Sequence, residues 1–408
     1  MLPAASSPSP DRLSFVRAEL DRRAMAALSV GHLATDFAGG SLPALLPFLV
    51  SKFDLSYTLA AVLMLASTLA ASVIQPVFGL WSDRRGALWL LPTGVALCAI
   101  GMGLAAAAPA YWAVVVLVVA SGLGSAAYHP EGSKFAAYAS GARRASGMSV
   151  FAVGGNVGVG LGAAVTTPIV VWLGLRGGLL IAVPGIFVAL MLVRLRPFLG
   201  SFAPETPAHA TARAGGDDVR ALLVLIGVIL FRAVAWFGLI TFVPLYEISL
   251  GHSKSYGNHL LSLMLLVGAA GTLFMGPCAD RFGRRTVMVV TSAVTGPLIA
   301  VFVVLGGALG AIALAGVGLA VVGTFGVTTI MAQEYLPSRI AMASGLSIGF
   351  SIGLGGVAAV ALGAVADSVD LRAALWIAAA APAAAFVLSL RLPARRFRAR
   401  LTPEVVAP

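Results

Sequence analysis

Two short loops decide how this 408-residue chain folds: GLWSDRRGALW, Gly79–Trp89, and GPCADRFGRRTV, Gly276–Val287. Aligned, Gly79 meets Gly276, Asp83 meets Asp280 and Arg84 meets Arg281, with the same interval in all three pairs. A second pair follows: SGMSVFAVGGNVGVGLGAAV opens at Ser146 and SGLSIGFSIGLGGVAAVALG at Ser344, one residue further apart. Upstream of these, HPEGSK at His129 is similar to AQEYLPSR at Ala332. An internal repeat on this scale means two related halves.

The surroundings of the loops say which solvent the halves use. Hydrophobic residues make up 59% of the chain and charged residues 11%, against about a quarter charged in soluble domains. The apolar residues come in long blocks, as in segments solvated by a bilayer. Twelve blocks are predicted as helices: 26–50, 57–81, 88–107, 111–130, 145–169 and 174–194, then 220–247, 258–279, 286–305, 307–331, 341–366 and 372–391. The fold class expected is an all-α membrane protein, twelve transmembrane helices in two six-helix pseudo-repeats. A cytoplasmic tail, 1–25, with an amphipathic helix over 11–23, precedes the first bundle, 26–194. The polar segment RPFLGSFAPETPAHATARAGGDDVR, 195–219, reads as a central linker. The second bundle, 220–391, ends in a cytoplasmic tail, 392–408.

The net charge of +11 lies between the apolar blocks, so its expected partner is anionic lipid on the cytoplasmic face rather than nucleic acid. All Lys and Arg except Lys52, Arg176, Arg232, Lys254 and Arg372 fall in the tails, the linker and the even-numbered loops. Basic loops stay inside, which places both termini in the cytoplasm of a multi-pass protein of the cell inner (plasma) membrane. Cys98 and Cys278 read as packing residues, not a disulfide framework or metal site. No cofactor is expected: phosphate-binding loop, HExxH and GxSxG are missing, which excludes an ATP-driven pump and the common hydrolases.

Ionisable residues inside spans are costly and face a cavity or a partner. His32 and Asp36 lie four apart on one helical face, either a pair that fixes packing or a protonatable site in a central cavity. His129, Glu131 and Lys134 cluster after the fourth span, whose helix is expected to continue past Pro130 with a kink. They read as an interfacial ion pair or as a proton relay and gate; their spacing does not make a closed zinc site. Arg232, midway through the seventh span, must meet an acid such as Asp36, or an anionic substrate held by its guanidinium fork. Asn156, among Gly154, Gly155, Gly158 and Gly160, and Trp236 are candidates for the substrate path, with helix packing as the alternative.

The repeated loops read as close-packing and capping devices and also as a two-state latch. Gating is expected of Gly79, Asp83, Arg84, Gly276, Asp280, Arg281, Arg284 and Arg285, with Lys134 and with Glu334, the counterpart of Glu131.

These loops resemble the signature of the major facilitator superfamily, G-x-x-x-D-R/K-x-G-R/K-R/K between spans 2 and 3. The second copy is complete in Gly276, Asp280, Arg281, Gly283, Arg284 and Arg285; the first keeps Gly79, Asp83, Arg84 and Gly86, with Ala87 and Leu88 where the two basic residues would follow. GHLATDFAGGSLPALLPFL, QPVFGLWSD, GLGSAAYHPEGSKFAAYAS and VGGNVGVGLG are similar to the fosmidomycin-resistance transporters. That resemblance implies proton-driven export of a phosphonate antibiotic by alternating access. The chain departs from many drug/proton antiporters in span 5, where Ala163 follows Gly162 and the proline stands at Pro168, and span 4 lacks an arginine. Proton coupling is therefore expected to use Asp36, Glu131, His32 and His129.

The expected function is efflux of a small anionic or amphipathic compound by a secondary transporter that works as a monomer. A proton-coupled uptake permease for a metabolite and a non-transporting membrane receptor or assembly factor are the alternatives.

Overall fold

The computed structural model describes residues 19–85, 87–141, 144–202, 216–337 and 340–394. Most of the expected helix over 11–23, whose last two residues open α1, and most of the linker and of the C-terminal tail lie outside them. Among the described residues the chain forms thirteen α-helices: α1 Arg22–Phe53, α2 Tyr57–Arg85, α3 Leu90–Ala107, α4 Tyr111–Ala139, α5 Arg144–Gly177, α6 Ala182–Gly200, α7 Val219–Ser249, α8 Lys254–Phe282, α9 Arg284–Leu305, α10 Gly307–Val322, α11 Phe325–Tyr335, α12 Ile340–Ser368 and α13 Leu371–Ser389.

Short polar side chains start several of these helices by accepting otherwise orphaned N–H groups. Asp21 accepts from Ala24 at 2.9 Å, Asp218 from Ala221 at 3.0 Å and Asp370 from Ala373 at 2.6 Å. Glycine turns the chain between α8 and α9, where Gly283 has φ 90°. Prolines lie inside most of the long helices, including Pro43 and Pro47 in α1 and Pro130 in α4, which runs unbroken past it.

Several boundaries differ from the sequence reading: α5 runs to Gly177 rather than 169, and α6 starts at Ala182 rather than 174. The expected tenth span is two helices, α10 and α11, separated at Gly323–Thr324. The linker begins later than expected, because α6 continues through Arg196 and Pro197 to Gly200. Packing explains that extension: Leu199 is buried, Phe198 stacks edge-on with Phe202, and the Arg23 guanidinium lies 4.9 Å above the Phe198 ring.

Among the described residues, ten stretches are long and apolar enough to cross a membrane; one, Gly147–Gly200, contains most of α5 with α6, and a shorter apolar helix covers Ile352–Ser368. The outward surface is itself apolar, with Trp172 82% and Phe187 68% exposed. Lipid contact makes such exposure stable. This is an all-α, multi-pass membrane protein.

α1 packs most extensively on α5, α3 on α4, α8 on α10, and α13 on α7 and α9. Helices α1–α6 meet α7–α13 chiefly along two seams, α2 with α12 and α5 with α8. Polar bonds cross those seams and an α1–α8 contact: Asn156 Nδ2 donates to Thr272 Oγ1 at 2.9 Å, and Asn258 Nδ2 donates to the Ala44 carbonyl at 2.9 Å. At one end, the Asp367 carboxylate of α12 accepts from the backbone N–H of Tyr57 at 2.7 Å and of Thr58 at 2.9 Å, capping α2 from the other side of the seam.

Candidate functional site

The crossing of α1, α4 and α5 builds the first site. His32 and Asp36 project from α1 one turn apart, with His32 Nε2 3.2 Å from Asp36 Oδ2. From α4, His129 Nε2 comes within 3.2 Å of the other carboxylate oxygen, Oδ1. His32 Nδ1 lies 2.7 Å from the Phe151 carbonyl of α5, and His129 Nδ1 lies 2.8 Å from the Ser125 carbonyl and 3.0 Å from the Ser125 hydroxyl. The His32 ring stacks on Phe151 at 4.2 Å and meets the His129 ring edge-on at 4.9 Å. All three residues remain partly exposed.

Close helix approach makes room for this cluster. A Cβ at Gly155 of α5 would stand 2.6 Å from Asp36 Oδ2, so that position has to be glycine. Tyr128 props the crossing from α4, its hydroxyl donating to the Leu28 carbonyl at 2.5 Å.

His32, Asp36 and His129 offer three donor atoms within 4.8 Å of one another, close enough to share a small cation. The grouping weighed in the sequence was His129 with Glu131 and Lys134. The fold instead points His129 at Asp36 and leaves Glu131 and Lys134 as an ion pair at 2.9 Å, with Glu131 fully buried.

Arg232 occupies a second site, on α7, and is 5% exposed. Asp36, one partner the sequence offered, pairs with the histidines instead. The guanidinium donates to Thr291 Oγ1 at 3.2 Å on α9, to the Ala320 and Val321 carbonyls at 3.0 and 3.3 Å, and to Thr324 Oγ1. Those carbonyls belong to the last turn of α10, where the break at Gly323–Thr324 removes their helical donors. Arg232 thus caps the break, and it carries its charge with no carboxylate in ion-pair reach among the described residues. A small recess of about 20 Å³ opens beside it, lined by Ile229, Arg232, Trp236, Thr324, Phe325 and Thr328. Asn156 lies on the α5–α8 seam.

The second repeated loop is a cluster within one set of helices. Arg284, at the start of α9, pairs with Glu334 of α11 and lies 3.9 Å from Asp280 of α8. Arg285 donates to the Leu390 carbonyl after α13 at 2.5 Å, and Arg281 lies over the Phe282 ring. The first copy ends α2, and the side chains of Asp83 and Arg84 lie outside those described. Among the described residues, the close helix approach expected at Gly79 and Gly276 is not seen: a Cβ at Gly79 would meet only Pro130, at 3.7 Å, and one at Gly276 would meet nothing within 4 Å.

The positions sequence reasoning missed are Ser125 and Phe151, which support the cluster; Gly155 was read as a packing glycine, and it packs against His32 and Asp36. Ser125 was within reach, standing one helical turn before His129. The Phe151 carbonyl carries no side-chain signal.

A bundle of apolar helices with two seams and embedded charged sites defines a secondary-active membrane transporter, not an enzyme. The chain belongs to the Major Facilitator Superfamily, whose model it matches over residues 28–347 and again over 225–406. It is 32% identical to the uncharacterized MFS-type transporter YfnC of Bacillus subtilis (strain 168), over 84% of this chain and 86% of that one. It is 29% identical to the fosmidomycin resistance protein of Escherichia coli (strain K12), over 97% of each. Among solved structures, a bacterial homologue of the human lysosomal transporter Spinster, inward-facing and unoccupied, superposes with a TM-score of 0.73 at 16% identity, covering 91% of this chain and 97% of that one.

Proposed function

We propose that this transporter exports a small anionic or amphipathic compound, of the phosphonate-antibiotic class, in exchange for protons. The observation that carries the reading is the His32–Asp36–His129 cluster, a set of protonatable groups held at a helix crossing and still partly exposed. Ionisable groups of this kind within membrane spans mark proton pathways. The substrate class is supported by Arg232, whose uncompensated charge borders a recess with Trp236. It is supported as well by the likeness to the fosmidomycin resistance protein along nearly the whole chain.

In this reading there are twelve crossings, counting α5 and α6 separately and α10 with α11 as one. Residues 26–194 rock against 220–391 about the α2–α12 and α5–α8 seams, with 195–219 as the cytoplasmic linker. The monomer is the working unit, in the cell inner membrane with both termini inside and anionic lipid against the basic loops. Asp280, Arg284 and Glu334 steady one state, with Asp83 and Arg84 as their counterparts.

The test is accumulation of fosmidomycin in membrane vesicles from cells with and without the gene. Inverted vesicles with an acidic lumen accumulate it if the proposal holds. Proton-driven accumulation confined to right-side-out vesicles makes the protein an uptake permease, and no accumulation of any phosphonate removes the substrate class.

A further inference from the structure

We infer that His32, Asp36 and His129 form a binding site for one first-row divalent metal ion of the zinc type, held by two imidazole nitrogens and a carboxylate. The inference goes beyond the export reading and does not need it. It rests on the donor set, its spacing and the way the two rings are anchored.

Two helices supply the donors. His32 and Asp36 stand one turn apart on α1, the spacing that lets two side chains of one helix face one point. From the other side, α4 brings His129 to the same point. Each Nε2 lies 3.2 Å from a carboxylate oxygen. An ion with bonds of about 2.1 Å to both atoms of such a pair subtends an angle of about 100°, between the octahedral and tetrahedral values. One donor atom from each residue lies within 4.8 Å of the other two, so small ring rotations complete the grouping. The two nitrogens face different oxygens of Asp36, which suits a carboxylate that binds through both.

The anchoring of the rings is a second observation. A histidine that binds a metal through one nitrogen almost always donates the N–H of the other to a carbonyl, a carboxylate or water. His32 Nδ1 lies 2.7 Å from the Phe151 carbonyl, and stacking on Phe151 at 4.2 Å fixes the plane of the ring. His129 Nδ1 lies 2.8 Å from the Ser125 carbonyl and 3.0 Å from the Ser125 hydroxyl, and both of those oxygens can accept from it. In each ring the nitrogen away from Asp36 is anchored, and Nε2 is the one turned to the site.

The donor chemistry selects the ion. Imidazole suits zinc, copper, iron and nickel, whereas magnesium and calcium take oxygen shells. Cys98 of α3 turns its sulfur to the Thr35 carbonyl and Ser121, so no thiolate joins the set. Two histidines and one carboxylate leave coordination positions open. All three side chains stay partly exposed, which gives the ion a way in and out. Once bound, it ties α1 to α4 and takes the nitrogens that the export reading gives to protons.

The experiment is calorimetric titration of Zn²⁺ into the purified full-length chain, without a polyhistidine tag, in detergent after dialysis against EDTA. One ion per chain is expected, with a rise in unfolding temperature because the ion binds the folded state. His32→Gln, His129→Gln and Asp36→Asn are each expected to weaken binding at least about tenfold. His252→Gln, at a histidine paired with Glu247, is expected to leave binding unchanged. X-ray absorption at the zinc edge of the wild-type complex depends on no variant's folding. It is expected to show two imidazoles with oxygen, and no sulfur at about 2.3 Å. A wild-type chain that binds no zinc overturns the inference. So does binding untouched by all three substitutions, which marks an adventitious ion only, a shell with fewer than two imidazoles, or displacement of the zinc by excess Mg²⁺. Neither a proton gradient nor a substrate enters, so failure of proton-driven export leaves the metal site standing, and a chain that binds no zinc leaves the export reading to its vesicle test.

Discussion

Replacing Gly155 with alanine tests the cluster through its steric room alone, leaving every ionisable group in place. The added methyl would stand 2.5 Å from His32 Cε1 and 2.6 Å from Asp36 Oδ2. Carbon atoms pack at about 3.5–4.0 Å, so the ring must retreat by about 1 Å. That takes a 3.2 Å Nε2–Oδ2 contact to about 4 Å, beyond hydrogen-bond reach. Separating α1 from α5 instead is resisted along the whole crossing: a Cβ at Gly158 already would meet Leu33 Cα at 3.0 Å. Overpacking of this kind costs about 1–3 kcal/mol, similar to the about 1.5–3 kcal/mol of one charge-assisted hydrogen bond. The His32 contact is therefore the element expected to yield. The assay pairs proton-driven uptake into inverted vesicles with thermal unfolding in detergent. Gly155→Ala is expected to lose transport at least tenfold with a modest fall in unfolding temperature. Gly39→Ala, on α1 with nothing within 4 Å of its Cβ position, is expected to change neither. Wild-type transport and unfolding in Gly155→Ala would refute the reasoning.

Three further outcomes are expected. Asp36→Asn is expected to fold but lose proton-driven transport, and undiminished transport in vesicles would exclude Asp36 from the coupling. Arg232→Ala removes the guanidinium bonds to the Ala320 and Val321 carbonyls, which keep the Thr324 hydroxyl as donor, a loss of about 1–3 kcal/mol read by thermal unfolding; binding of anionic solutes is expected to weaken while that of neutral solutes is unchanged. Asp367→Ala removes both acceptors at the start of α2 and is expected to favour separation of α2 from α12 by about 2 kcal/mol, near thirtyfold in population. Spin-label distances between the ends of those helices check it, and unchanged distances would show that the cap does not hold the seam.

The amino-acid sequence determined the solvent, the helices and the candidate charges of this protein. Long apolar blocks have one stable backbone solution in a bilayer, and His32, Asp36, His129 and Arg232 stand out because charge is costly there. Even the four-residue spacing of His32 and Asp36 was enough to pair them, since helix geometry is local. Partners separated by many turns were decided by tertiary packing alone. Asp36 could have met Arg232 on sequence grounds; the α1–α4 crossing gave it His129 instead, and the break between α10 and α11 gave Arg232 its carbonyls. The Phe151 carbonyl shows the same limit most sharply. Every residue has a carbonyl, so only the placement of α5 against α1 shows which one meets His32.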